Sequence, residues 1–178
     1  MKTKRRHICS LFTLMAITIL GMTFGCKTPK TGDGADSPFS KMPAGRLTMV
    51  SYNYQGMRMM LVSSPTVTLG EDGKTIMTFS KYTEDRSFEV SDTILDAARK
   101  IIEEEKMYNY ASRYDNKFND MILDGYSWNF SAKFDSGEMI SSGGRNAQPD
   151  GDGLHRIGRL LSDAGMKCLT EAGELESE

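Results

Sequence analysis

From Gly45 onward, apolar and polar positions alternate with a period of two. Thr48, Val50, Tyr52 and Tyr54 fall on one face of an extended segment, and Met49, Ser51 and Asn53 fall on the other. Gln55-Gly56 reads as a turn into a partner strand over Met57–Val62. Pro65 interrupts, and Thr66–Leu69 is a short extended piece. Glu71-Asp72-Gly73-Lys74 turns the chain into Thr75–Tyr82, where β-branched and aromatic residues favour a strand, and Arg86–Val90 extends the sheet. The period then changes. Ile94, Leu95, Ala98, Ile101 and Ile102 recur at helical spacing behind Ser91, an N-cap residue type, and Asp92, which suits the helix dipole; this helix ends near Lys106.

Met107–Leu123 has no sustained period. After Asp124-Gly125 comes the most regular alternation of the chain, with Tyr126, Trp128, Phe130, Ala132 and Phe134 on one face and Ser127, Asn129, Ser131 and Lys133 on the other. Asp135-Ser136-Gly137 predicts a tight hairpin back along Glu138–Ser141. A Gly-rich loop over Ser142–Gly153 leads to a second helix bearing Leu154, Ile157, Leu160, Leu161 and Ala164, stopped by Gly165. Met166–Leu169 reads as a short last strand, and residues 170–178 as a frayed acidic tail. These elements predict an α+β fold, an antiparallel sheet with two amphipathic helices packed on one face, in a single domain over residues 45–169.

The amino terminus follows other rules. Lys2, Lys4, Arg5 and Arg6 precede the uncharged, largely apolar stretch Ile8–Gly25, the layout of an export signal. The stretch ends Thr23-Phe24-Gly25-Cys26, which resembles a lipobox: cleavage before Cys26 and acylation of its thiol would leave residues 1–25 as a lipoprotein signal peptide. Thr23 stands where an aliphatic residue is usual, whereas Gly25 fits. At 18 residues this stretch is also long enough for an uncleaved anchor, and plain secretion is a third reading. Residues 26–44, with Pro29, Pro38, Pro43, Gly32 and Gly34, read as a flexible tether with a reach of about 25 Å. The partner expected from this segment is a lipid bilayer, engaged through acylated Cys26 at a cell membrane or outer membrane.

Charge and cysteine content narrow the chemistry. The chain has 22 basic and 24 acidic residues; removing the four basic residues of the signal leaves 18 − 24 = −6, which argues against a nucleic-acid partner. Of three cysteines, only Cys168 remains after Cys9 and Cys26 are set aside, so no intrachain disulfide is available, and Cys168 reads as a small buried apolar residue. Two histidines, His7 and His155, are too few for a zinc site, and Asp150-Gly151-Asp152-Gly153 lacks the later ligands of a calcium loop, with Leu161 where its Glu would stand. No metal and no cofactor is expected. His155 is the mature chain's only histidine, and no nucleophile-elbow pattern surrounds the nearby Ser141 or Ser142, so no catalytic residue is assigned. The most specific local feature is Ser141–Pro149, where Arg145 and Asn146 follow Gly143-Gly144. It is a candidate ligand-binding loop for a carboxylate or phosphate, or a loop whose glycines serve geometry alone.

Asp124-Gly125-Tyr126-Ser127-Trp128-Asn129-Phe130, followed by Phe134, Gly137, Ser142-Gly143-Gly144, Asn146 and Pro149, resembles a family of small lipoproteins of Bacteroides-type bacteria, a domain of unknown function, over roughly residues 120–165. The resemblance implies one α+β domain on a lipid anchor and carries over no catalytic residue. Lys27-Thr28-Pro29-Lys30 lacks the acidic residues that accompany surface export in such bacteria, which implies a periplasm-facing protein. The function expected is a membrane-tethered binding or accessory domain for an envelope protein, peptide or glycan. The alternative is an envelope enzyme or inhibitor-like module acting through residues 141–149.

Overall fold

The computed structural model describes residues 39–56 and 60–175. The expected signal peptide, Cys26 and most of the expected tether lie outside the described residues. Seven strands form one sheet: β1 (Leu47–Gln55), β2 (Ser63–Leu69), β3 (Thr75–Lys81), β4 (Glu84–Val90), β5 (Arg113–Asp115), β6 (Ser127–Phe134) and β7 (Met139–Arg145). Their order is β4-β3-β2-β1-β6-β7-β5, with α1 (Thr93–Glu104) between β4 and β5 in sequence and α2 (Gly153–Glu171) closing the chain. The fold is α+β as expected, but the sheet is mixed. All neighbours are antiparallel except β5 and β7. The reason is topological: the chain reverses between β5 and β6, and β7 then enters the gap between them. Antiparallel to β6, it must run parallel to β5.

The register separates two faces. Met77, Val67, Val50, Ala132 and Ile140 stand side by side across five strands, and all are buried. Phe130 and Trp128 continue that face along β6, opposite Tyr52 and Tyr54 of β1. One step of the β1 reading is corrected. A bulge between Leu47 and Met49 shifts the alternation, so that Leu47 rather than Thr48 is buried at that end of the strand. Thr48 turns its hydroxyl to the Lys133 carbonyl, at 3.1 Å.

The expected partner of β1 is displaced as well. Residues 57–59 lie outside the described residues, and residues 60–62 are not strand; β2 begins at Ser63 and runs through Pro65. Proline is tolerated there because the pairing with β3 slips between Ser63 and Thr66, leaving no ladder bond for Pro65 to donate.

α1 buries Leu95, Ala98 and Ile102, three of the five residues of its sequence stripe. Its N-cap position is Asp92, which pairs with Arg46 at 2.9 Å, while Ser91 Oγ accepts from the Thr93 amide. α2 is longer than expected. It continues through Gly165 to Glu171, and Met166–Leu169 is helix rather than strand. Gly165 is there for packing: a Cβ would lie 2.7 Å from Val62 Cγ1 and 3.3 Å from Met77 Cε. Arg156 ties the two helices by bonding Glu105 at 2.6 Å and Glu104 at 2.7 Å. The acidic tail is pinned at Glu174, which accepts from Arg86 Nε at 3.0 Å and Lys81 Nζ at 3.1 Å, contacts that lower the pKa of its carboxyl. Among the described residues no helix is long and apolar enough to cross a membrane.

The Gly-rich segment departs furthest from expectation, because Ser142-Gly143-Gly144-Arg145 is strand rather than loop. Gly144 stands directly opposite Trp128, and the indole occupies the space that a side chain would take. A Cβ on Gly144 would lie 2.6 Å from Trp128 Nε1, 2.6 Å from the Ala147 carbonyl oxygen and 2.8 Å from that of Tyr114. Gly143 is less constrained by its nearest neighbour, the flexible amide of Asn129. Gly144→Ala is therefore expected to cost about 1–3 kcal/mol, the range for overpacking a filled core, and Gly143→Ala distinctly less; denaturant midpoints of the two variants check the order.

Candidate functional site

The residues singled out by sequence do not converge. Asn146 takes a left-handed φ of 53° at the end of β7, a conformation Asn tolerates better than most residues. Both ends of its amide are occupied: Oδ1 accepts from the Tyr126 N–H at 2.7 Å, and Nδ2 donates to Asn119 Oδ1 at 3.0 Å. Gly125 is shaped by the same contact, since a Cβ there would come within 2.5 Å of Asn146 Oδ1. Asn146 thus ties the entry of β6 to the exit of β7. Arg145, its neighbour, is exposed on the other side of the strand. His155 lies on the first turns of α2, its exposed side chain without a hydrogen bond or ion pair among the described residues.

The Tyr-rich segment also has a structural role. Tyr114 tilts onto Trp128 with ring centroids 5.9 Å apart, and Tyr110 meets Tyr114 edge-on at 6.4 Å. Trp128 Nε1 donates to the Ala147 carbonyl at 2.7 Å, and the buried Ser142 hydroxyl donates to the Ala111 carbonyl at 2.6 Å. Cys168 is buried, and burial pushes its thiol up, away from reactivity. Asp152 takes the N-cap position of α2 without a side-chain cap bond, and no group of three or more potential metal-ligating side chains occurs among the described residues.

The concave feature that does emerge is a cleft of about 650 Å³ between the end of β1 and the first half of α2. Tyr52, Tyr54, Met60 and Leu154 give it an apolar lining, and His155 and Arg159 are among the polar residues around it. Two glycines shape this junction. Gly158 lets α2 approach β1, since a Cβ would lie 2.8 Å from the Tyr52 ring. Gly56 leaves room for the Tyr54 ring, which stacks on Tyr126 at 5.7 Å with 23° between planes. Burial, reinforced by Tyr54 and Tyr126, pushes the Tyr52 phenol up to about 12, so it is a neutral hydroxyl at any physiological pH. Arg159 is paired with Asp163 one helical turn on, at 3.7 Å.

Such a cleft can hold an apolar or aromatic group and offer hydrogen bonds at its edge. It holds no relay: no hydrogen bond joins His155, Ser162 and Asp163 among the described residues, although α2 brings all three to its wall. Tyr52 and Tyr54 stand in the sequence as one face of a strand, and His155 as the only histidine after the expected signal. Met60, Gly158 and Arg159 carry no sequence signal, because the cleft arises only where α2 crosses β1.

The raised phenols give a pH dependence. Tyr52 and Tyr110 both ionise near 12 when folded, with burial as the leading cause, against about 10 for an unfolded tyrosine. Their contribution to stability is complete below about pH 10 and is lost as pH rises towards 12. Denaturant midpoints measured across this window should fall, and the fall should be shallower for Tyr52→Phe. No protein-family model, curated protein or solved structure matches the chain.

Proposed function

We propose that the chain is an envelope lipoprotein, anchored in a bilayer through acylated Cys26 and facing the periplasm, whose domain serves as a binding or accessory module. In this reading both helices cover the apolar face of the sheet, and the Tyr52–Tyr54–Met60 cleft receives an apolar or aromatic group of the partner. The observation that carries it is the cleft itself: partly exposed aromatic and thioether surface, with Tyr54 38% and Met60 39% accessible, beside exposed polar side chains. An apolar surface with a polar edge suits recognition better than turnover, and no assembled acid–base pair accompanies it among the described residues. The reading through residues 141–149 draws less support. Ser141–Arg145 is committed to the sheet and Asn146 to its internal bonds, so the segment does not stand out as an inhibitor-like loop.

Two measurements test the reading. Cys26→Ser should move the protein out of the membrane fraction and abolish incorporation of labelled palmitate; unchanged fractionation refutes the anchor. Titration of the protein with indole or p-cresol should shift the backbone resonances of Tyr52, Leu154 and Gly158 saturably. His155→Trp, which fills the cleft from an exposed position, should remove the effect, and shifts that ignore this substitution refute the cleft.

A further inference from the structure

Large apolar side chains left in solvent occur singly at Tyr82, Met139 and Met166, and scattering of that kind is ordinary. The segment between β5 and β6 is different. Phe118 is 54% exposed, Met121 78% and Leu123 97%, all on one turn of the chain. At 97% exposure Leu123 has almost no neighbouring surface beside it, so it projects from the domain rather than lining a groove.

The polar groups of this turn are satisfied from within. The Phe118 N–H donates to Asn116 Oδ1 at 2.9 Å. The N–H groups of Asn119, Met121 and Ile122 donate to the carbonyls of Asn116, Phe118 and Asn119 at 3.0, 2.9 and 3.2 Å. Asn119 Oδ1 accepts from Asn146 Nδ2 at 3.0 Å, and Asn116 Nδ2 donates to the Asn146 carbonyl at 3.3 Å. Lys117 Nζ lies 5.0 Å from the centre of the Phe118 ring, a cation on a long stem that reaches a headgroup while the ring sits deeper. A turn whose main-chain N–H groups are bonded internally leaves water at little polar cost, which is the condition a bilayer imposes. A protein pocket imposes no such condition, because it supplies hydrogen-bond partners of its own.

We propose that this turn dips into the surface of the bilayer that carries Cys26, with Phe118, Met121 and Leu123 among the acyl chains and Lys117 at the headgroups. The proposal rests on the Cys26 anchor and is independent of the Tyr52–Tyr54 cleft. Chain length permits it. The chain enters the domain beside the Asp135–Glu138 turn, where the Arg46 N–H donates to Asp135 Oδ1 at 2.9 Å. The apolar turn leads into the other end of β6, a strand of 8 residues that spans roughly 27 Å. Residues 27–38, 38 − 26 = 12 positions, reach at most about 40 Å, so the far end of the domain can meet the membrane. Charge does not drive the contact, since Asp120 and Asp124 follow Lys117 in the same segment. Insertion therefore needs no anionic lipid.

The test places the acylated protein in phosphatidylethanolamine vesicles containing phosphatidylcholine brominated near the top of its acyl chains. Trp128, the chain's one tryptophan, is buried, so the unsubstituted protein should show no quenching by bromine. Leu123→Trp should lose most of its added emission and shift what remains to the blue. Met139→Trp, at the other end of the β6–β7 pair, should keep its emission. Adding Phe118→Ser and Met121→Ser to Leu123→Trp should restore most of the emission with the melting temperature unchanged, since both side chains lie outside the core. Including phosphatidylglycerol should change none of these results. The proposal is overturned if Leu123→Trp is unquenched, if Met139→Trp is quenched as strongly, or if quenching requires phosphatidylglycerol. A blue-shifted Leu123→Trp emission without vesicles, as when a second copy covers the turn, also overturns it. Flotation with the vesicles but no quenching sinks the inserted turn alone; an unacylated Cys26 by mass, with no flotation, sinks the anchor and the turn together.

Discussion

The placement of the Trp128 indole over Gly144 is the constraint on which the rest of the domain depends. Trp128 is 2% exposed, and its one polar atom is satisfied by the Ala147 carbonyl. Removing a buried indole costs about 3–5 kcal/mol in comparable cores, a large part of the total stability of a small domain. The contact also fixes geometry. It requires a glycine on β7, sets β7 against β6, and holds Ala147 just beyond the Asn146 corner. The chain then passes Pro149 and Gly151, and α2 begins at Gly153, where a Cβ would strike the Tyr110 hydroxyl at 2.7 Å. The starting point of α2 decides where Gly158 meets Tyr52, and so where the cleft opens.

One sheet thus presents two unlike surfaces. On the core face the row from Met77 to Ile140 is dry, and the cleft lies where α2 crosses the end of β1. On the other face Ser87, Thr78, Thr66, Ser51, Ser131 and Ser141 stand in register, one from each of six adjacent strands. That polar face is compatible with solvent. The sheet edges are protected in different ways. β4 carries Glu84, Asp85, Arg86 and Glu89, and β5 has only three residues, both recognised ways to discourage edge-to-edge pairing.

Much of this was legible in the sequence wherever a single period governs a stretch. The faces of β6, the stripe of α1 and the Asp135–Gly137 hairpin follow from alternation, helical spacing and one glycine, at φ 87°. The misreadings came from residues whose local signal has two meanings. Gly143-Gly144 and Gly165 resemble a loop and a helix stop, yet Gly144 makes room for an indole and Gly165 for Val62, and neither partner is near in sequence. Pro65 resembles a break and sits at a register slip. The bulge at Thr48 and the parallel pairing of β5 depend on contacts between residues far apart in the chain. For the same reason Arg145 and Asn146, adjacent in sequence, have different roles: Asn146 bonds the corner together, and Arg145 faces solvent. Gly125, Trp128, Gly144 and Asn146 are all accounted for by packing at that corner.

The proposed role of the domain as a tethered recognition module working through the cleft is open to site-specific photo-crosslinking in living cells. A photoreactive residue at His155, on the cleft wall, is compared with one at Lys100, which is 77% exposed on α1. A discrete crosslinked species in the membrane fraction is expected from position 155 and none from position 100. Absence of a species from 155, or equal crosslinking from both positions, would contradict it.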